Sequence, residues 1–265
     1  MTQEETLLYL ALKYEGDWDR IYEEITSNKE VDEKEAMRLI NKVNSKYVTI
    51  NEIEYPEILR QSYKPPFVLF YHGDINLLND NVNKLAVVGT RKPTEYGLKM
   101  TQELVGKVAK DFVIVSGLAM GIDTCAHRAC IANGGKTIAV LGNGINFHYL
   151  EENKELYEEI KKNHLVISEY PDMTQACPKY FPIRNRIIAG LVNNLLVPEG
   201  KIRSGTQITA MLVANKSGNV CCVPTTAGED SLCNALIKEG AYLVETPDDI
   251  FASTSINRRR PIFEM

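Results

Sequence analysis

From Leu85 onward, hydrophobic residues recur in short runs that are separated by longer segments of mixed polarity. The runs have the length of strands and are apolar at consecutive positions, at 85–89, 112–117, 137–142, 165–170, 193–199, 219–224 and 241–245. Such runs are typical of strands that are buried on both faces. Most intervening segments show helical spacing, as in Leu98, Leu104, Val105 and Val108. The alternation predicts an α/β fold with a doubly wound, mostly parallel sheet and helices on both of its faces.

The part of the chain before this pattern has the spacing of short helices. Apolar positions recur every three or four residues in two groups, Leu7, Leu8, Ala11 and Leu12, and then Ala36, Leu39, Ile40 and Val43. Breaks are expected at Gly16-Asp17 and at Ser27-Asn28. We predict a small helical N-terminal subdomain at 1–48, a connector with an entry strand (FVLFYH) at 49–84, a main domain at 85–255 and a solvated tail at 256–265.

Composition places the chain among ordinary soluble globular proteins, with 44% hydrophobic and 25% charged residues. No apolar run approaches the roughly 20 residues that a membrane helix needs. The first apolar stretch follows Glu4 and Glu5, the wrong flank for a secretory signal. A cytoplasmic protein without a membrane partner is expected. The six cysteines form no CxxC pair, so buried reduced thiols are favoured over a metal site, with Cys221 and Cys222 on opposite faces of a strand.

The distribution of charge limits how this chain could bind a polyanion. The net charge is −5, but residues 1–60 hold 14 acids against 8 bases, so the rest of the chain is close to neutral. A surface that coats nucleic acid indiscriminately is excluded by this balance, whereas a focused basic groove is not.

One basic block stands out in the second half of the chain. FPIRNRIIAGL at 181–191 and RSGTQITA at 203–210 contribute Phe181, Arg184, Arg186 and Arg203, and Glu199 is the only acid between Lys179 and Arg203. Cationic side chains with an aromatic ring, close to two helix starts, suit a ligand with phosphates and exposed bases. Single-stranded nucleic acid is the first candidate.

Right-handed crossovers place the loops that follow parallel strands on one edge of the sheet, where ligands bind. Glycines in these loops let the backbone approach a phosphate, at Gly89, Gly121, Gly142 and Gly144. Arg91, Lys179 and Arg203 add positive charge. Two alternatives stay open, since a glycine after a strand commonly serves a tight turn, and Arg184 or Arg186 could belong to a buried ion pair. Glu169 is interpreted as a residue that orients an arginine.

Catalytic motifs are weak or missing. GNGINF at 142–147 is an incomplete dinucleotide motif, and GxxxxGK[ST], HExxH and GxSxG do not occur. Asp123 and His127 lie four residues apart, so an acid–base pair or a metal site is conceivable, but a capping aspartate and a packed histidine are favoured. We therefore expect a protein that holds its ligand without catalysis, cofactor or metal.

Seven blocks, in their order along the chain, resemble the DNA-processing protein A (DprA/Smf) family. They are GTR at 89–91, SGLAMGIDTCAH at 116–127, TIAVLGNGI at 137–145, ISEYP at 167–171, FPIRNRIIAGL, RSGTQITA and LIKEGA at 236–241, and the resemblance reaches upstream to 55–74. It implies an extended Rossmann-like fold over about residues 55–251, with a helical N-terminal module and no winged helix after Phe251.

The resemblance also implies a function. Members of this family bind single-stranded DNA, protect incoming strands during natural transformation, load the RecA recombinase onto them and form homodimers through the Rossmann domain. Carried over, Arg91 contacts DNA, Ser116 and Gly117 line the pocket, and Lys179 and Phe181 precede the RNR block. The DNA-binding set that we predict also includes Arg184, Asn185, Arg186, Arg203, Ser204, Gly205 and Thr206, the last three as backbone donors.

Two other functions remain open from the sequence. RSGT at 203–206 with Glu199 faintly resembles the loop of nucleotide phosphoribohydrolases in the related Rossmann-like superfamily, although the full PGGxGT pattern is missing. A nucleotide-sensing scaffold, whose N-terminal helices recruit a partner, is the third possibility.

Overall fold

A computed structural model describes residues 1–27, 31–147, 151–227 and 230–254. The predicted tail at 256–265, with Arg258, Arg259 and Arg260, and Asn28 of the predicted break lie outside the described residues.

The N-terminal segment forms three helices, α1 (Gln3–Lys13), α2 (Trp18–Thr26) and α3 (Glu33–Ile40). Each begins at a side-chain cap, because Thr2, Asp17 and Asp32 accept hydrogen bonds from backbone N–H groups of the following turn. The predicted helices are confirmed with one correction. Val43 lies beyond the end of α3 and packs against the same apolar cluster from the loop.

Nine strands build one sheet within the described residues: β1 (Lys46–Thr49), β2 (Val68–Gly73), β3 (Lys84–Val87), β4 (Val113–Ser116), β5 (Thr137–Val140), β6 (Leu165–Ser168), β7 (Asn194–Val197), β8 (Asn219–Cys222) and β9 (Tyr242–Leu243). Each apolar run predicted as a strand is confirmed. The sequence analysis missed β1, a four-residue edge strand that straddles the predicted boundary at residue 48.

The strand order is β1-β2-β6-β5-β4-β3-β7-β8-β9. The seven strands β3 to β9 all run parallel. β2 pairs antiparallel with β6, and β1 pairs antiparallel with β2. The chain proceeds outward from β3 to β6 and then crosses back to place β7 on the other side of β3. The carboxyl ends of β3 and β7 therefore flank the point where the winding reverses, which is where doubly wound sheets bind ligands.

Helices cover both faces of the sheet, as predicted. They are α4 (Glu57–Arg60), α5 (Glu95–Val108), α6 (Ile122–Ala132), α7 (Lys154–Asn163), α8 (Tyr180–Gly190), α9 (Gly205–Asn215), α10 (Leu232–Lys238) and α11 (Pro247–Ser253). One core layer joins the sheet to α4, α8, α9 and α10. The opposite face packs on α5, α6 and α11, and further along on α7 and α1. Within the described ranges, no helix combines the length and the apolar character needed to cross a bilayer.

The cysteines behave as small apolar residues. All six are free thiols and five of them are buried. Cys221 belongs to the core beneath α5 and α11, whereas Cys222 belongs to the core on the other face. The predicted opposition of these two side chains is confirmed.

Candidate nucleic-acid interface

A cavity of about 460 Å³ opens at the reversal point of the sheet, between the loop after β3, the loop after β7 and the start of α8. We call it the main cavity. Its lining residues are Val88, Gly89, Thr90, Arg91, Ala119, Asp123, Pro178, Phe181, Pro182, Arg184, Asn185, Lys201, Ser204, Gly205, Thr206 and Thr209. The predicted ligand edge therefore carries a concave site that includes Phe181 and Arg184 of the basic block.

A second, smaller cavity of about 110 Å³ adjoins the main cavity and is called the side cavity. Its walls are largely apolar, and they include Leu118, Met120, Leu141, Phe147 and Tyr157. The two cavities share Arg91, Ala119, Phe181 and Arg184. These four residues form the boundary between a polar chamber and an apolar one.

Arg91 and Phe181 form a pair on this boundary. Arg91 is exposed in the loop after β3, and its guanidinium carbon lies 5.3 Å from the centroid of the Phe181 ring. This distance lies within the range of cation–π attraction. The structure thus brings together the charge and the aromatic ring that the sequence analysis assigned to the site.

Arg184 lies beneath the pair and is 3% exposed. Its Nη1 donates to the carbonyl oxygens of Gly117, at 2.7 Å, and Val140, and its Nε donates to Asn185 Oδ1 at 3.2 Å. Burial lowers the pKa of Arg184 to about 10, which still leaves the side chain charged at neutral pH. No described residue accepts a hydrogen bond from Nη2, so a cationic donor remains for a ligand where the cavities meet.

Arg186, two residues further along α8, has a different role. Its Nη1 and Nη2 donate to the two carboxylate oxygens of Glu169 at 2.8 and 2.6 Å, and both side chains are buried. Arg186 lines neither cavity, so the structure places it apart from the site at which we predicted a direct DNA contact. The alternative, a buried ion pair with Glu169 as the orienting acid, is confirmed.

Ser116 and Asp123 support the floor of the site from below. Ser116 is fully buried and its hydroxyl donates to the Val87 carbonyl oxygen at 2.6 Å, so Gly117 of the predicted pocket loop lines the side cavity and Ser116 does not. Asp123 Oδ2 accepts the backbone N–H of Gly117 at 3.1 Å. Asp123 therefore holds the loop after β4, and its prediction as a helix cap is wrong. Burial raises the pKa of this carboxyl group.

His127 is a packed residue, as favoured from the sequence. It is fully buried, and its Nδ1 lies 2.7 Å from the Thr137 hydroxyl. Burial lowers the pKa of His127 to about 3, so the ring is neutral at physiological pH. Neither an acid–base pair nor a metal site is supported, and the described residues contain no group of three metal-binding side chains.

The start of α9 offers backbone donors to the main cavity. The Ser204 hydroxyl donates to the Lys201 carbonyl oxygen at 2.6 Å and does not cap the helix. No described group accepts from the backbone N–H groups of Gly205 and Thr206. An uncapped helix start of this kind attracts anions. The backbone N–H groups of Gly205 and Thr206 are thus available for the donor role that we predicted.

Two predicted cations lie outside the cavity lining. Arg203 has a positive φ of 59° and an exposed side chain, and Lys201, which the sequence analysis did not select, lines the main cavity instead. Lys179 is exposed at the start of α8, with its Nζ 5.3 Å from the Tyr180 ring centroid. Lys179 and Arg203 therefore do not join Arg91 and Phe181 within the site.

The glycines of the site permit close packing against neighbouring loops and helices. A Cβ atom at these positions would meet protein atoms at 2.9 Å or less, namely at Gly89, Gly117, Gly121, Gly142 and Gly144. At Gly142 the obstacle is the Phe181 ring, at 2.9 Å. Close packing against neighbouring loops and against side chains of α6 and α8 therefore requires glycine at these positions. Gly205 differs, since the nearest atom to its Cβ position is 3.5 Å away.

Comparison with known proteins identifies the family. A family model described as DNA recombination-mediator protein A matches residues 46–255. DNA processing protein DprA of Streptococcus pneumoniae is 43% identical over 200 residues, which cover 75% of this chain and 70% of that protein. The Bacillus subtilis protein of the same name is 39% identical over 207 residues, covering 77% and 69% of the two chains.

Two solved structures share the fold of this chain over most of its length. The crystal structure of DNA processing protein A from Streptococcus pneumoniae matches with a TM-score of 0.80 and 33% identity, covering 95% of this chain and 98% of that one. A Helicobacter pylori structure, described as giving insight into the single-stranded DNA binding mode of its DNA processing protein A, matches with a TM-score of 0.71 and 28% identity, covering 80% and 97%. The chain belongs to the DNA recombination-mediator protein A family, the DprA/Smf family that its sequence blocks resemble.

Proposed function

We propose that this protein binds single-stranded DNA across the main and side cavities. The observation that carries the proposal is the Arg91–Phe181 pair on the boundary of a polar and an apolar chamber, above the open Nη2 donor of Arg184. The Helicobacter pylori relative, whose description names single-stranded DNA binding, supports the same ligand class.

Phosphates would be held in the main cavity. Arg91 and Lys201 form no ion pair among the described residues, so their charges are available to a ligand. The first turn of α9 adds backbone N–H groups from Gly205 and Thr206. Contacts of this kind read the backbone of the strand and are indifferent to its sequence.

A base would stack on Phe181 and enter the side cavity. Stacking on an aromatic side chain contributes about 1–3 kcal/mol per base for any base. The side cavity of about 110 Å³ has apolar walls and a charged rim, which suits the face and the polar edge of one base. In a duplex the faces of the bases are covered by their neighbours, so this arrangement favours single strands.

Membership of the family supports the remaining functions that we propose. We propose that the bound strand is protected and passed to RecA during natural transformation and recombination, that the protein acts as a homodimer in the cytoplasm, and that it has no catalytic activity of its own. Two linked sites on one strand would raise the effective affinity without any new contact.

The phosphoribohydrolase alternative is disfavoured by the position of Glu199. Its Oε2 accepts hydrogen bonds from the backbone N–H and the hydroxyl of Thr94, at 3.0 and 2.8 Å. Glu199 thus secures the start of α5 and does not line the main cavity. A catalytic acid would need to face the substrate.

Fluorescence anisotropy tests the proposal with labelled oligothymidine and a duplex of equal length, over a range of salt concentrations. We expect tighter binding of the single strand and a linear decrease of log K with log salt. Equal affinity for duplex, or displacement of the strand by a mononucleotide at similar concentration, would contradict the proposal. A nucleobase release assay on nucleoside monophosphates tests the enzymatic alternative, and no product is expected.

A further inference from the structure

The segment that connects β6 to α8, residues 169–179, is attached to the N-terminal helices through Asp172. Asp172 Oδ2 accepts the backbone N–H groups of Asn44 and Ser45 at 2.9 and 3.3 Å, and Oδ1 accepts the Ser45 hydroxyl. Asn44 and Ser45 lie between α3 and β1. One carboxylate therefore joins the end of the helical subdomain to the segment that leads into Phe181.

A second contact lies at the turn between α1 and α2. Gly16 has a φ of +76°, and a Cβ atom there would come within 2.7 Å of the Glu169 carbonyl oxygen and 3.1 Å of the Tyr170 ring. The Tyr170 ring stacks on Tyr180, with centroids 4.3 Å apart. Tyr180 directly precedes Phe181, so close packing continues from the N-terminal helices to the wall of the cavities.

The loop after β5 holds the same segment from another side. The Gly144 N–H donates to the Thr174 carbonyl oxygen, and the Asn146 N–H donates to that of Asp172, both at 2.8 Å. The connecting segment is thus fixed between the N-terminal helices and the loop that contributes Gly142 and Asn143 to the side cavity.

We propose that the N-terminal helices position Phe181 at the boundary of the main and side cavities, and that Asp172 is the positioning residue through which they do so. The inference rests on the proposed function. Residues 1–60 carry 14 acids and 8 bases, a balance that disfavours direct contact with a polyanion. A segment that is already ordered loses less conformational entropy when the strand binds, so the attachment raises affinity without touching DNA.

Asp172→Ala tests this role in the full chain. We expect about tenfold weaker binding of oligothymidine, equivalent to about 1.4 kcal/mol, with an unchanged salt slope because no phosphate contact is lost. Asp172→Asn keeps an oxygen acceptor for the two N–H groups and should retain most of the affinity. Fluorescence of Trp18, the only tryptophan in the chain, reports whether the helical subdomain stays folded.

Asp80→Ala is the matched control. Asp80 also accepts two backbone N–H groups, those of Glu57 and Ile58 at 2.7 and 3.4 Å, but it anchors α4 and not the DNA site. Its substitution should leave the affinity for DNA unchanged. Similar losses in Asp80→Ala and Asp172→Ala would overturn the inference, because general loosening of the fold would then explain both.

A double-mutant cycle separates positioning from simple destabilisation. If Asp172 acts through Phe181, Asp172→Ala should weaken binding much less in a Phe181→Ala background than in the wild type. Additive losses, or wild-type affinity of Asp172→Ala, would overturn the inference. A wild-type protein that binds single-stranded DNA no better than duplex would instead contradict the proposed function, so the two failures are distinguishable.

Discussion

The two arginines of the RNR block occupy two different environments although only Asn185 separates them. Residues two apart on a helix point about 200° apart around its axis, so Arg184 faces the cavities while Arg186 faces the interior beneath α8. Arg186 has a carboxylate on both terminal nitrogens. Arg184 has only neutral oxygen acceptors and keeps one nitrogen open. The Arg186 guanidinium is thus paired with a carboxylate in the interior, whereas Arg184, which is attracted to the nearby Asp123 carboxylate without a hydrogen bond between them, keeps one donor nitrogen for a ligand.

The largest expected effect concerns the buried ion pair between Arg186 and Glu169. Arg186→Met should lower the free energy of unfolding by about 3–5 kcal/mol, because it leaves the Glu169 carboxylate buried without a partner. Urea denaturation measures the loss. Arg186→Met combined with Glu169→Leu removes both charges and should recover most of the stability. If Arg186→Met is as stable as the wild type, the ion pair is not the structural element described above.

Acid should also act on the interior, through His127. The pKa of this ring is lowered to about 3 in the folded protein by burial, whereas the unfolded chain has the ordinary value of about 6.5. Between these values only the unfolded state binds the proton, so the free energy of unfolding should decrease by up to about 1.4 kcal/mol for each pH unit below 6.5.

The contribution of His127 can be isolated with His127→Gln. Between pH 6.5 and 4.5, its free energy of unfolding should change with pH less steeply than that of the wild type. The difference in slope should be up to about 1.4 kcal/mol per pH unit, which corresponds to one proton. Urea unfolding at a series of pH values measures both slopes. Parallel slopes would mean that His127 is not held neutral in the folded state.

On the ligand side, Phe181→Ala should weaken binding of single-stranded DNA by about 1–3 kcal/mol, irrespective of base composition. Stability should change less than in Arg186→Met, because Phe181 is only partly buried. Anisotropy titrations with oligothymidine and oligoadenosine provide the comparison. A loss confined to one of the two strands would indicate base readout in place of stacking.

The smallest effect is expected for Arg91→Ala. Removal of one phosphate contact should weaken binding about two- to fivefold and lower the slope of log K against log salt by about 0.7. Lys92→Ala is a suitable control, since Lys92 is exposed beside Arg91 but lines neither cavity. An unchanged slope for Arg91→Ala would remove this side chain from the proposed path of the backbone.

Much of the fold could be predicted because it depends on local patterns. The apolar runs of β2 to β9 are distinct from the helical spacing between them, and their order indicates a parallel sheet with its ligand edge. The short strand β1 could not be predicted in this way, because its pairing with β2 depends on partners 19 to 25 residues away, from Thr49 with Val68 to Lys46 with Tyr71.

The site was predictable in outline but not in detail. The sequence analysis correctly assigned Arg91, in the loop after β3, and Phe181, in the first turn of α8, to one site. The sequence could not decide whether Arg184 or Arg186 meets a carboxylate, since that depends on Glu169 from a distant strand end. The sequence analysis also selected Arg203 and not Lys201. Which of the two side chains lines the cavity depends on the conformation of the folded loop, including the positive φ at Arg203, and the sequence does not reveal it.

Photocrosslinking tests the central claim most directly. Oligothymidine that contains 5-iodouracil would be irradiated in complex with the wild-type protein, digested with trypsin and analysed by mass spectrometry. A base stacked at the boundary of the two cavities should attach to the peptide Tyr180–Arg184, at Phe181. Attachment to the N-terminal helices or to the β9 edge, with Tyr180–Arg184 unmodified, would contradict the proposed site.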